Sequence, residues 1–219
     1  MALELARMAL WLEAYTPDRA LGFLDHHLVC GDALLGLLNL GVLKEGIPDE
    51  AFNAHTGDDK EVARTLTKIN RKARKEMEAR ARSGQFSLEL GTQALAEAFA
   101  TLDALRDEEL AGVEAKRALY ADLQAKTDAS ALALAADCFV GAFLVPKRVP
   151  DAAVRGTDAV LRQQFPTTAT LELVLERTLS AEHPAVQTAR RASADARVLH
   201  WPLAFPQVFA RKIWPVRRR

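Results

Sequence analysis

The sequence predicts a helix-dominated chain in which an all-α block, residues 49–195, is set between two short pieces of α/β structure. Three observations carry this expectation. Through the block, apolar residues recur at helical spacing with no convincing alternation of period two. Before it, Phe23 to Val29 is short, rich in large apolar side chains and followed by the polar turn Cys30-Gly31-Asp32, the pattern of a strand closing at a loop. After it, Val198-Leu199-His200-Trp201-Pro202-Leu203 reads as a second short strand or extended segment.

Residues 2–15 form the first expected helix, with Leu5, Met8, Ala9 and Leu12 on one face and Trp11 and Tyr15 paired at the next i, i+4 step. Apolar residues on more than one side predict burial against a sheet. Thr16-Pro17-Asp18 stops the helix, because proline lacks an N–H and drives its predecessor out of the helical region. A helix followed by a strand at 23–29 is half of an α/β unit, so residues 1–48 are assigned to a partial α/β segment.

Beyond Gly46-Ile47-Pro48 the character changes. Thr56 to Arg82 holds nine Lys/Arg against five Asp/Glu, with Val62, Leu66, Ile69 and Ala73 at helical spacing, which predicts one long basic amphipathic helix. Ser87-Leu88-Glu89-Leu90 resembles a helix start, and the helical pattern runs on to Ala125 with a break near Arg106 to Gly112. Further helices are expected at 128–144, 157–164, 168–181 and 184–195, punctuated by Pro146, Pro150, Pro166 and Pro184. Residues 196–209 return to the α/β segment, and 210–219, ending in Arg217-Arg218-Arg219, read as a disordered basic tail.

Charge and composition narrow the function classes. Of the 219 residues, Lys+Arg and Asp+Glu number 29 each, so net charge favours neither nucleic acid, an acidic substrate nor a membrane surface. Cys30 and Cys138 stand far apart with no CxxC pair and no histidine at zinc-site spacing, which predicts two reduced, mostly buried thiols in a cytosolic protein. The start, MALELARMALWLEAY, is read as a helix of the fold rather than a leader, since Glu4 and Arg7 interrupt it. The most apolar stretch, Ser130 to Pro146, contains Asp137 and is too short for a membrane span, so it is expected to be a buried helix. No GxSxG or GxxxxGK[ST] motif supports a hydrolase or a nucleotide-binding protein.

Several residues invite sharper readings. Asp25-His26-His27 has metal-binding side chains, but on a strand adjacent residues face opposite ways and do not easily share an ion, so a structural role is favoured. His200-Trp201 could stack unpaired bases, and packing is favoured over that. Arg64, Lys68, Arg71, Lys72, Arg74 and Lys75 could track a phosphate backbone, but Glu76 and Glu78 dilute the cluster, which favours a solvated helix face.

Two segments carry a resemblance: FLDHHLVCGDALLG at 23–36 and LHWPLAFPQVF at 199–209. They are similar to signatures of the large type IIG restriction-modification methylases and of the related methyltransferases in phage-defence systems such as DISARM. In that family a helix of the type MALELARMALWLEAY follows the second strand of a Rossmann-like domain, and a segment of the type FLDHHL leads into a G-[DN]-[SA]-L turn. The order here is the family's order. The match covers about the first forty and the last twenty residues, while the helical block matches mainly in position and character.

The resemblance implies a transferase that moves a methyl group from S-adenosylmethionine to the N6 amine of adenine in DNA. It assigns the turn after the strand to the cofactor, with Asp32 accepting a hydrogen bond from the adenine amino group and Ala33 offering its backbone at the ring edge. It also implies elements not found in these residues: a glycine-rich loop, an acidic residue for the ribose, and an Asn-Pro-Pro-aromatic tetrapeptide that holds the flipped adenine. The chain is therefore expected to be an internal portion, inactive alone, from a truncated, split or frame-shifted gene. A separately encoded complementary methyltransferase fragment as partner is the less favoured origin. The competing class is a non-enzymatic helical DNA-binding or assembly subunit. In either case a cytoplasmic protein without a membrane partner is expected.

Overall fold

The computed structural model describes residues 1–32, 34–83, 92–149 and 157–209. Helix α1 (Ala2–Glu13) forms where expected and ends just before the Thr16-Pro17 turn. It lies on the following loop: the Trp11 indole N–H donates to the Gly22 carbonyl at 2.8 Å, and Arg7 pairs with Asp25 at 2.6 Å. None of its residues is buried, and Leu5, Met8, Leu12 and Tyr15 are all more than half exposed. The expected burial against a sheet is thus corrected, since no sheet stands among the described residues.

The strand expected at 23–30 is corrected as well. Leu24 O accepts the N–H groups of His27 and Leu28 at 2.9 and 3.2 Å, which winds residues 25–27 into a turn. A strand's backbone groups need a neighbouring strand, and here local partners take them instead. Strand pairing among the described residues comes down to one isolated parallel bridge, Asp32 to Val198. The second extended segment is shorter than expected: after His200 the chain winds into the single turn α9 (Trp201–Ala204), with Pro202 in the first turn, where a missing N–H costs nothing.

The helical block matches the expectation closely. Helix α2 (Lys60–Arg82) starts at Asp59, whose carboxylate caps the N–H groups of Glu61 and Val62. Its buried stripe contains Val62, Leu66, Ile69, Ala73 and Met77. Helices α3 (Thr92–Ala104) and α4 (Leu110–Asp128) flank the expected break. Helix α5 (Ala131–Leu144), capped by the Ser130 hydroxyl, is the central element and packs on α7 (Thr168–Leu175) and α8 (Pro184–Asp195). Helix α6 (Asp158–Gln164), which comes between α5 and α7 in sequence, packs on α2 and α8. Helix α7 stops at Leu175 rather than 181, because the Leu173 carbonyl takes the N–H groups of Thr178 and Leu179 and Arg177 turns left-handed at φ 59°. A last turn, α10 (Pro206–Phe209), follows α9.

Leu37, Leu40, Leu43, Ile47 and Leu203 share one hydrophobic core with α2, α5, α7 and α8. A buried amide ties three parts of that core together. Asn70 donates to Ile47 O at 2.7 Å and accepts from the Thr168 N–H at 2.9 Å and the Thr168 hydroxyl at 2.8 Å. Cys138 is buried as expected, its thiol pushed well above its usual pKa by burial and by Asp137, whereas Cys30 is exposed, a correction to the expectation. Among the described residues no single helix is long and apolar enough to cross a membrane; α4 and α5 qualify only jointly and bend by 56° at their break. The helix start expected at Ser87 to Leu90 and the tail at 210–219 lie outside the described residues.

Candidate functional site

The two segments on either side of the helical block meet edge to edge. Asp32 N–H donates to Arg197 O at 2.7 Å, Leu199 N–H to Leu35 O at 3.1 Å and Trp201 N–H to Leu37 O at 3.1 Å. Leu37 N–H also donates to His200 Nδ1 at 3.3 Å, across a separation of 163 residues. Local chemistry prepares this contact on both sides. Arg197, left-handed at φ 52°, turns the chain out of α8. Gly36, at φ +120°, passes so close that a Cβ there would lie 2.1 Å from Leu199 O. Only glycine combines that backbone conformation with that approach.

Asp32 sits at this junction and is exposed. Its Oδ1 accepts the N–H groups of Leu34 and Leu35 at 2.9 and 3.2 Å, the Asx-turn arrangement that holds a loop in shape. Ala33, the other expected cofactor contact, lies outside the described residues.

Beside the junction opens a cleft of about 290 Å³, whose lining includes Cys30, Asp128, Asp137, Arg190 and His200. Asp32 is not part of that lining. Asp137 projects from the middle of apolar α5 to within 3.3 Å of His200 Nε2. Because a backbone N–H can only donate, the Leu37 contact makes Nδ1 the acceptor and places the imidazole proton on Nε2, facing Asp137. Burial raises the Asp128 carboxyl above the ordinary carboxylate range; Arg190 opposes the shift and Asp137 adds to it. The cleft thus sets a carboxyl biased toward its protonated form near a carboxylate–imidazole pair and a guanidinium, a set able to donate and accept hydrogen bonds to a polar ligand.

Of these residues, Asp137 had a sequence signal: an ionisable group inside the most apolar helix needs a partner. Asp128 and Arg190 had none, since only the fold brings residues of α4 and α8 to one cleft beside α5. His200 is held by packing and hydrogen bonds, and Trp201 lies against Phe205 with ring centroids 5.8 Å apart, in keeping with a scaffold role. The basic face of α2 is partly neutralised: Arg71 and Arg74 reach Asp49 at 2.9 and 3.6 Å, and Lys72 reaches Glu76 at 3.9 Å. Arg64, Lys68 and Lys75 remain exposed. Comparison of the chain with protein-family models, with curated proteins and with solved structures finds no match.

Proposed function

We propose that these residues are a portion of an adenine-specific DNA methyltransferase of the Rossmann-like class, which moves a methyl group from S-adenosylmethionine to adenine N6. The observation that carries this reading is the junction. The two segments that resemble the family's signatures, far apart in sequence, lie side by side in parallel, with Asp32 at their contact and its side chain exposed. A helical block whose two ends meet is how an insertion into an α/β domain leaves the host domain's continuity intact. The exposed apolar face of α1 is consistent with the same reading, since it is the face expected to lie on the parent sheet.

In this proposal Asp32 accepts a hydrogen bond from the cofactor's adenine amino group, while Ala33 offers its backbone beside it. Methyl transfer itself needs a glycine-rich loop and an Asn-Pro-Pro-aromatic tetrapeptide, neither of which occurs in these 219 residues, so the residues alone are expected to be inactive. DNA would be the partner of the complete enzyme and the cytoplasm its place of work. The alternative, a helical subunit that binds DNA through α2, rests on the exposed Arg64, Lys68 and Lys75 and is weakened by the acidic partners of the neighbouring cations.

The test is calorimetric titration of S-adenosylmethionine into the chain joined to a polypeptide that supplies the missing elements, with and without Asp32→Ala. A donor left without its acceptor costs about 1–3 kcal/mol, or about 5- to 150-fold in Kd. Unchanged affinity would remove Asp32 from the site, and a large loss of stability of the isolated chain would make it a structural residue.

A further inference from the structure

A strand would send the His26 and His27 side chains to opposite faces, but these residues lie in a turn. In the turn at 25–27, successive side chains no longer alternate between opposite faces, and the two imidazole rings stand with centroids 3.8 Å apart and planes tilted by 40°. Asp25 turns away to Arg7. Asp103, near the end of α3, comes in from the other side and brings a carboxylate oxygen to 3.1 Å from His26 Nε2. One ring nitrogen from each histidine and one carboxylate oxygen of Asp103 all lie within 4.8 Å of one another.

His26 itself points to a ligand. Its side chain is 1% exposed, yet Nδ1 has no hydrogen-bond partner and Nε2 meets only the Asp103 carboxylate at 3.1 Å. A buried imidazole normally satisfies its nitrogens, because an unpaired polar atom away from water is costly. Phe23 stacks on the ring at 5.4 Å and fixes its plane without offering a polar contact. The nearby cation Lys116 is held by Asp107 at 3.4 Å.

We propose that His26, His27 and Asp103 form a binding site for a divalent first-row transition-metal ion of the zinc class. Two imidazoles and one carboxylate suit such an ion rather than calcium or magnesium, which prefer oxygen ligands. His27 and Asp103 are exposed, so the remaining coordination positions face solvent and take water. The ion ties the turn that leads into Asp32 to α3, adding to the Phe23 N–H to Asp107 bond at 2.9 Å that links the neighbouring residues. This inference does not depend on the methyltransferase proposal.

The test uses the untagged full chain, stripped of metal with a chelator and titrated calorimetrically with zinc chloride. Three variants are compared with it: His27→Ala and Asp103→Asn, both at exposed positions that spare the core, and Cys30→Ser, which removes the exposed thiol as a competing ligand. The expected result is one zinc per chain, a thermal unfolding midpoint raised by zinc, and affinity weakened by about tenfold or more in His27→Ala and Asp103→Asn but retained in Cys30→Ser. Absence of stoichiometric binding would overturn the proposal. So would binding that survives both ligand substitutions, or binding that disappears in Cys30→Ser.

Discussion

Replacing Gly36 by alanine tests whether the two ends of the helical block are held against each other as described. A Cβ at residue 36 would stand 2.1 Å from Leu199 O and 2.6 Å from Leu199 C, both backbone atoms that cannot rotate aside. Reaching an ordinary carbon–oxygen contact of about 3.3 Å requires the segments to part by about 1 Å. The Leu199 N–H to Leu35 O and Trp201 N–H to Leu37 O bonds, each 3.1 Å, then stretch beyond bonding range. Losing those bonds costs about 1–3 kcal/mol together, and a non-glycine residue at this φ adds about 1–3 kcal/mol. Gly57→Ala is the matched control, since Gly57 has φ +90° but a Cβ there would meet only the Arg148 guanidinium at 3.9 Å. Urea unfolding followed by circular dichroism should place the Gly36→Ala variant about 1–3 kcal/mol below the Gly57→Ala variant at unchanged m. Equal losses in the two variants would refute the close approach of Gly36 to Leu199.

Asn70→Ala should destabilise the chain by about 2–4 kcal/mol in the same assay, because it strands the Thr168 N–H in the core, and a loss under about 0.5 kcal/mol would dissolve the buried network. Thiol titration with a disulfide reagent should count one reactive cysteine in the folded chain, Cys30, and two in denaturant; rapid labelling of Cys138 without unfolding would contradict its burial. Burial raises the Asp58 carboxyl, but the N–H groups of His55 and Lys147, at 3.0 Å each, outweigh it and leave its pKa below the ordinary value. A depressed folded-state pKa stabilises above the unfolded value of about 3.9 and is lost as pH falls through the folded value, so Asp58→Asn should flatten the loss of stability below about pH 5. An acid profile identical to that of the unaltered chain would remove Asp58 from the account.

The helices of the central block were legible because their packing imposes a period that sequence displays directly. The apolar stripe Val62, Leu66, Ile69, Ala73 is the stripe that α2 buries. The early end of α7 was not legible, since it depends on where the Thr178 and Leu179 N–H groups go rather than on apolar spacing. Phe23 to Val29 shows the limit of composition: a short apolar run is equally compatible with a strand and with a turn until its backbone partners are known. Phe23 earns its burial through Tyr120 and His26 rather than through a sheet. That one difference also hid the approach of His26 to His27, because on a strand adjacent side chains face opposite ways. At the cleft, Asp137 could be singled out by its apolar surroundings, whereas Asp128 and Arg190 come from helices that sequence does not place side by side.

The assignment of Asp32 and the junction around it to a DNA adenine methyltransferase is a proposal. Its most direct test is formation of N6-methyladenine in DNA from labelled S-adenosylmethionine, measured by mass spectrometry of the digested DNA for the chain alone and for the chain completed with a polypeptide carrying the glycine-rich loop and the Asn-Pro-Pro-aromatic tetrapeptide. The expected result is methylated adenine only with the completed protein. Methylation by the chain alone would contradict the claim that these residues are an incomplete catalyst, and a folded, completed protein that produces none would contradict the assignment itself.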